Sequence, residues 1–308
     1  MNYTLHQLRV FSVIAEKQSI TKAAEELNMT QPAASIQLKK LQDQFDIPLT
    51  ETIGRRIFIT DFGMELYRIA QRVLSEIESI HYQSQSYQGI LSGKLRISIV
   101  STGKYVMPYF LRDFLKANPG IELEMDVTNK RRVISSLEQN EVDFSLVSVV
   151  PAHIAIQEEI LMQNKLYLFG PGKDVIDTKG KKDAELFKQL PLIFREEGSG
   201  TRFAMQQYFH QAHIRPKISL SLTSTEAVKQ AVVAGLGYSV LSILSLKNEL
   251  KQKEVKVIPV KGFPLHSQWR MIWLQKKQLS AVAHAYLQYL QKNKTSIIKQ
   301  HFSWTAAY

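Results

Sequence analysis

The chain contains no cysteine and only three tryptophans among its 308 residues. Without thiols it forms no disulfide and offers no thiolate to a metal, which fits a reducing compartment. No apolar run approaches the roughly 20 residues that span a bilayer. The first residues show no basic leader followed by an apolar stretch, so neither a membrane span nor a secretory signal is expected and the cytoplasm is the expected location. Apolar residues are not scarce: they make up 44% of the chain, enough for substantial cores, and nothing is low-complexity. At roughly 150 residues per domain, this length predicts two or three domains.

An acidic excess is also missing. The net charge is +11, but it is unevenly spread. Residues 1–60 carry 7 Lys and Arg against 6 Asp and Glu, whereas residues 94–308 carry 30 against 18. A basic balance favours nucleic acid in general, yet here the excess lies outside the region with the best DNA-reading pattern. It reads as solvated surface, and any DNA reading must rest on a motif.

Catalytic and metal patterns are equally sparse. His210 and His213 are three apart with no HExxH or acidic partner, and read as surface or packing histidines. Gly170-Pro171-Gly172-Lys173 lacks phosphate-loop spacing. Glu196-Glu197 sits beside two arginines and reads as charge balance, not acid–base chemistry. No metal, resident cofactor or catalytic residue is expected, and the chain does not read as an enzyme.

What is present begins at residues 21–42, TKAAEELNMTQPAASIQLKKLQ. Thr21 suits the N-cap of a helix whose inward face is Ala23, Ala24 and Leu27. Asn28-Met29 makes a short turn, and Thr30 caps a second helix in which Pro32 occupies the first turn at no cost. Ala34, Leu38, Leu41 and Phe45 then form a buried stripe. Pro32, Ile36, Lys39 and Lys40 lie opposite, with Gln31 and Ser35 at the edge. Leu5, Leu8, Phe11 and Ala15 supply an upstream amphipathic helix. Three short helices with a tight turn before the last describe either a helix-turn-helix or an ordinary helical corner. The run 54–60, Gly-Arg-Arg-Ile-Phe-Ile-Thr, is a basic turn entering an alternating strand. It reads as a wing with Arg55 and Arg56 placed for phosphate or minor groove, or as a plain surface hairpin.

These residues resemble the LysR-type transcriptional regulators over nearly the whole chain. The resemblance is carried by Leu8, Phe11, Ser19-Ile20-Thr21, Ala23-Ala24, Leu27, Thr30-Gln31-Pro32-Ala33, Ser35, Leu38, Leu41, Leu49, Gly54-Arg55-Arg56, Thr60 and Gly63. It implies an α/β fold class with an N-terminal winged helix-turn-helix, a linker helix and a two-lobed effector domain like a periplasmic binding protein. It implies double-stranded DNA as partner, met through Thr30, Gln31, Pro32, Ser35, Ile36, Lys39, Arg55 and Arg56. It also implies self-association as a homodimer or homotetramer, and contact with RNA polymerase. Thr50 and Thr52 depart from the family's usual Phe and Arg, and Ile36 stands where Arg is frequent. Ile36 can meet a thymine methyl, which would shift base preference.

The domains expected are 1–60, a linker and dimerisation helix over 61–89, and an effector domain over 90–308. In the linker, Phe62, Leu66, Ile69, Val73, Ile77 and Ile80 form a near-heptad stripe suited to pairing with another helix. Residues 88–93 read as a hinge. Strands 95–100, 121–127 and 143–147 alternate with helices near 106–117 and 133–139. A second set runs from Lys165 through 192–194, 201 onward, 218–222, 226–234 and 238–241. Strand 268–274 and helix 280–291 return to the first set. Two α/β subdomains follow, about 94–164 plus 265–300, and 165–264.

Ligands of open α/β sheets sit at the C-terminal ends of strands. Two such places are rich in hydroxyls: Ser101-Thr102-Gly103 after the first strand, and Arg195-Glu196-Glu197-Gly198-Ser199-Gly200-Thr201-Arg202, which follows a strand of the second set and opens a helix, with Ser199, Thr201 and Arg202 as its donors. Ser148 is a third contributor. Free backbone N–H groups, a helix N-terminus and these donors suit a small anion. The stretch around GSGTR, with Ser101-Thr102-Gly103-Lys104-Tyr105 and Pro108, resembles the branch of carbon-fixation and sulfur-assimilation regulators, whose effectors are small anionic metabolites. A solute-binding protein or an enzyme on the same two-lobed fold are the competing classes. The first would carry a signal peptide and the second a catalytic cluster.

Overall fold

The computed structural model describes residues 2–54, 56–86, 91–174 and 183–308. The chain divides into two compact units, Met1–Leu91 and Ser92–Tyr308.

In the first unit, α1 (Leu5–Lys17), α2 (Ile20–Glu26) and α3 (Gln31–Gln42) precede the hairpin β1 (Thr50–Ile53) and β2 (Arg56–Ile59), followed by α4 (Asp61–Ser86). Thr4 and Gln7 form a reciprocal cap at the start of α1. Ser19, not Thr21, caps α2: its backbone is extended and its hydroxyl accepts from the Lys22 amide. Thr21 is already inside the helix. Asn28 takes the left-handed conformation, φ 52°, which lets the chain turn between α2 and α3. Ala23, Ala24, Ala34, Leu38 and Leu41 are buried together with Leu8, Phe11 and Ile14. Alanines at the α2–α3 contact let the two backbones approach closely. Leu5 is an exception to the expected stripe. It is 49% exposed at the first turn of α1, ahead of the core that Leu8 begins.

The linker stripe divides in two. Leu66 and Ala70 are buried against the first unit's core, with Phe62 packed beside them. Ile69, Val73, Ile77 and Ile80 remain exposed. Gly63 is required where α4 begins: a Cβ there would stand 2.1 Å from the Leu49 carbonyl oxygen. The Thr60 hydroxyl caps this corner, accepting from the Gly63 amide and donating to the Pro48 carbonyl. The hinge expected over 88–93 falls partly outside the described residues, and Ser92 and Gly93 already belong to a strand.

The second unit begins with β3 (Ser92–Val100), α5 (Met107–Ala117), β4 (Gly120–Thr128), α6 (Lys130–Glu138) and β5 (Phe144–Val147). The long β6 (Ile156–Pro171) leads to α7 (Asp183–Gln189), β7 (Leu192–Arg195), α8 (Gly200–Gln211), β8 (Ile218–Leu222), α9 (Thr225–Val233) and β9 (Ser239–Ser242). Then come α10 (Lys247–Lys251), β10 (Val255–Val257), β11 (Leu265–Leu274) and α11 (Ala281–His301). β4, β3 and β5 run parallel in one lobe, and β7 and β8 run parallel in the other. β6 and β11 pair antiparallel from Leu166–Leu265 to Ile156–Leu274, with a shift at Trp269/Arg270, and so run through both lobes. β9 and β10 join the β6 end. In one lobe Val133, Ile134 and Leu137 of α6 pack on Val147 and Ile272. In the other, Phe187, Phe194, Met205 and Phe209 anchor the core. Every parallel strand therefore ends at the same gap between lobes, where helices and turns start.

Candidate functional site

The first candidate surface is the exposed side of α3. Gln31, Pro32, Ile36 and Lys39 are exposed and Ser35 is half-buried, while Ala34, Leu38 and Leu41 hold the opposite side in the core. Gln31, Ser35 and Lys39 are four apart and therefore share a face. Ile36 is 53% exposed, a large apolar side chain with no place in the core. Thr30 caps α3 as the sequence reading expected: its hydroxyl accepts from the Ala33 amide at 3.4 Å. The wing forms as a two-stranded hairpin with Ile53 opposite Arg56 and Gly54 at φ 65°. Arg56 is exposed; Arg55 lies outside the described residues.

The second surface is the cleft between the lobes of Ser92–Tyr308. Ser101 and Thr102 come from the turn after β3, and Ser148 from the end of β5. Ser199, Gly200 and Thr201 come from the start of α8. Thr128, Asn129 and Lys130, at the end of β4, and Arg195 and Glu196, at the end of β7, complete the lining. The cavity they leave is about 20 Å³, room for one water and not for a metabolite. The lobes meet closely: a Cβ on Gly200 would stand 2.9 Å from Ser148 Oγ.

The donors in this cleft are largely unspent. Thr102, Ser199 and Thr201 are buried, and Ser199 does not use its hydroxyl to cap α8. No hydrogen bond joins the hydroxyls of Thr102, Ser148, Ser199 or Thr201 to another described residue. Lys130 makes no ion pair with a described residue, and burial pushes its ammonium below its ordinary pKa. Arg195 is buried, with Nε and Nη2 on the two Glu196 oxygens at 2.7 and 2.8 Å. Arg202 does not reach the cleft, contrary to expectation. It donates to the Arg195 carbonyl at 3.0 Å and to Glu197 at 3.3 Å, and it stacks over Phe194. It braces the loop from behind. Lys130 was missed in the sequence, and Arg195 and Glu196 lay in the stretch singled out there without being named as contacts. Lys130 could have been found by the rule that found Ser101, because it opens a helix at the end of a parallel strand.

Beside the cleft a second set of contacts ties the lobes together. Ser101 Oγ is 3.3 Å from Thr225 Oγ1, and the Tyr105 hydroxyl donates to Glu226 at 2.8 Å. Lys229 lies 2.7 Å from Glu226 and 2.8 Å from Glu249. Burial pushes the Glu226 carboxyl up, but the bonds from Lys229 and Tyr105 outweigh it and hold it at about 2. A depressed carboxylate pKa stabilises the fold above its unfolded value and loses that contribution as pH falls through the folded one. The melting temperature of this unit is therefore expected to fall between about pH 4.5 and 2. Glu226→Gln should flatten that part of the profile in a calorimetric pH series; an unchanged slope would show that other carboxylates govern it.

The sequences of both units match known families. Residues 5–64 match the bacterial regulatory helix-turn-helix model of the lysR family, and residues 88–294 match the LysR substrate binding domain. The chain belongs to the LysR family of transcriptional regulators. It is 36% identical to the HTH-type transcriptional activator CmpR of Synechocystis sp. over 94% of this chain and 95% of that one. It is 33% identical to the RuBisCO operon transcriptional regulator of Allochromatium vinosum, covering 94% and 96%. Among solved structures, the Synechocystis PCC6803 CcmR regulatory domain in complex with 2-PG superposes with a TM-score of 0.62 at 32% identity, covering 66% of this chain and 98% of that one. Full-length CbnR complexed with its target DNA shares the fold, with a TM-score of 0.71 at 20% identity over 94% and 99%. The relatives are named as regulators, which sets aside the enzyme and solute-binding classes. No helix among the described residues is long and apolar enough to cross a membrane.

Proposed function

We propose that this regulator reads double-stranded DNA through α3 and its wing, and that a small anionic metabolite bound between the lobes of Ser92–Tyr308 alters that reading. The observation that carries the ligand half is the convergence, from both lobes, of hydroxyls that bond no described residue, beside Lys130, which forms no ion pair with one. Such groups are poorly satisfied by one another and well satisfied by an oxyanion. The ligand of the CcmR regulatory domain, 2-PG, is the natural first probe. The reading requires no resident cofactor or metal.

Because the cavity holds one water, the metabolite can enter only as the lobes part, so binding and lobe geometry are linked. Titrating the full chain with 2-PG at fixed ionic strength is expected to raise the melting temperature of the effector-binding unit in a saturable way. A shift no larger than chloride gives would count against the anion site.

On the DNA side, Gln31 and Ser35 are placed for base edges, Ile36 for a thymine methyl, and Lys39 and Arg56 for phosphates. The exposed Ile69, Val73, Ile77 and Ile80 of α4 suit the same helix of a second copy, giving a homodimer or a homotetramer built from dimers. Paired heads then read paired half-sites. Regulation of this kind places the protein in the cytoplasm, where it meets RNA polymerase at promoters.

A further inference from the structure

We propose that Glu196 is a resident anion that competes with the effector for Arg195, and so sets the concentration at which the protein responds. This rests on the anion reading of the cleft. Arg195 carries the one guanidinium lining the cavity, and its side chain is 4% exposed. A guanidinium gripping two oxygens through Nε and Nη2 is the arrangement that recognises a ligand carboxylate or phosphate. Here the next residue in the chain already fills that position, at 2.7 and 2.8 Å. The third guanidinium nitrogen, Nη1, donates to Thr225 Oγ1.

Glu196 is the more exposed partner of the pair, at 20%, and the one with space to swing toward solvent. Arg195 is buried and anchored. Glu197 takes no part, since it pairs with Arg202 behind the loop. Thr225 links Arg195 to Ser101 on the opposite lobe. Whichever anion holds Arg195 therefore also acts on a hydrogen-bonded connection between the lobes.

The ligand class follows from the charges. Lys130, whose ammonium lies 5.8 Å from the Phe203 ring centroid, is the cation a singly charged group can reach without displacing a carboxylate of a described residue. A ligand that takes the Nε–Nη2 edge of Arg195 must expel a carboxylate, which favours a doubly charged group such as phosphate, or two anionic groups on one molecule. Monoanions are discriminated against by Glu196 itself.

The test uses the full chain, with inorganic phosphate as probe and chloride at matched ionic strength as control, followed by thermal melting. Glu196→Gln removes the charge and keeps the shape. It is expected to melt earlier than wild type without phosphate, because Arg195 is left buried and uncompensated. Phosphate should restore it in a saturable way, with half-saturation at about tenfold lower concentration than in wild type. Glu196→Asp keeps the charge on a shorter arm and should fall between the two. Equal or weaker phosphate response in Glu196→Gln, while the wild-type response still disappears in Thr201→Val, would overturn the role of Glu196 and leave the site standing. No saturable response in either protein would overturn the anion reading and this proposal with it.

Discussion

Ala34→Glu is expected to abolish specific DNA binding while leaving the effector-binding unit folded. Ala34 has no exposed surface and sits on the inner side of α3, packed with Ala23, Ala24 and Leu41. A glutamate there buries a carboxylate with no partner, at a cost of several kcal/mol. That is comparable with the whole stability of a small domain, roughly 5 kcal/mol or more. The second unit has its own cores around Phe187, Phe194 and Phe209 and around Val133 and Ile272, so it does not depend on α3. Calorimetry of the full chain should show the transition of the first unit lost or shifted far down, and that of the second within about a degree of wild type. Loss of both transitions would mean that the two units fold as one.

Thr201→Val is expected to remove the response to an anionic metabolite without lowering stability. The two side chains are nearly isosteric, and Thr201 is 8% exposed with its hydroxyl bonded to no described residue. Removing a buried hydroxyl that has no protein partner costs the free protein little and can stabilise it. A bond from that hydroxyl to a charged ligand contributes about 1.5–3 kcal/mol, so affinity should fall by roughly 10- to 100-fold. Basal DNA affinity should stay as in wild type. Unchanged metabolite affinity would place the ligand elsewhere; reduced basal DNA binding would make Thr201 a structural residue.

The sequence showed most of this architecture because its local and global signals agree. Strands with buried alternate positions, such as Leu95, Ile97 and Ile99, and helices with one apolar stripe were visible directly. The first half of β6 was not. Gln157, Glu158 and Glu159 look like a polar loop, yet each is satisfied by a residue far along the chain: Trp273, Arg270 and Lys294. The linker stripe was legible as a stripe but not as two. Only the fold shows that Leu66 turns to its own core while Ile69, Val73, Ile77 and Ile80 face outward. In the cleft, hydroxyl-rich strand ends were found from topology. The direction of Arg202 was not, because an arginine in the first turn of a helix can face either side of it. The pairing of Arg195 with Glu196 was legible as charge balance, but its position inside the cavity was not.

The proposed reader of DNA is α3. Selection from a pool of random duplexes by the full-length wild type, Gln31→Ala, Ser35→Ala and Ile36→Arg measures this in one experiment. Wild type is expected to enrich two related half-sites at fixed spacing. Each substitution should change the preferred bases at particular positions within both halves, with the spacing kept. If the variants, folded as wild type, enrich the same bases as wild type, or if wild type enriches nothing beyond salt-sensitive binding, then α3 does not carry the recognition assigned to it.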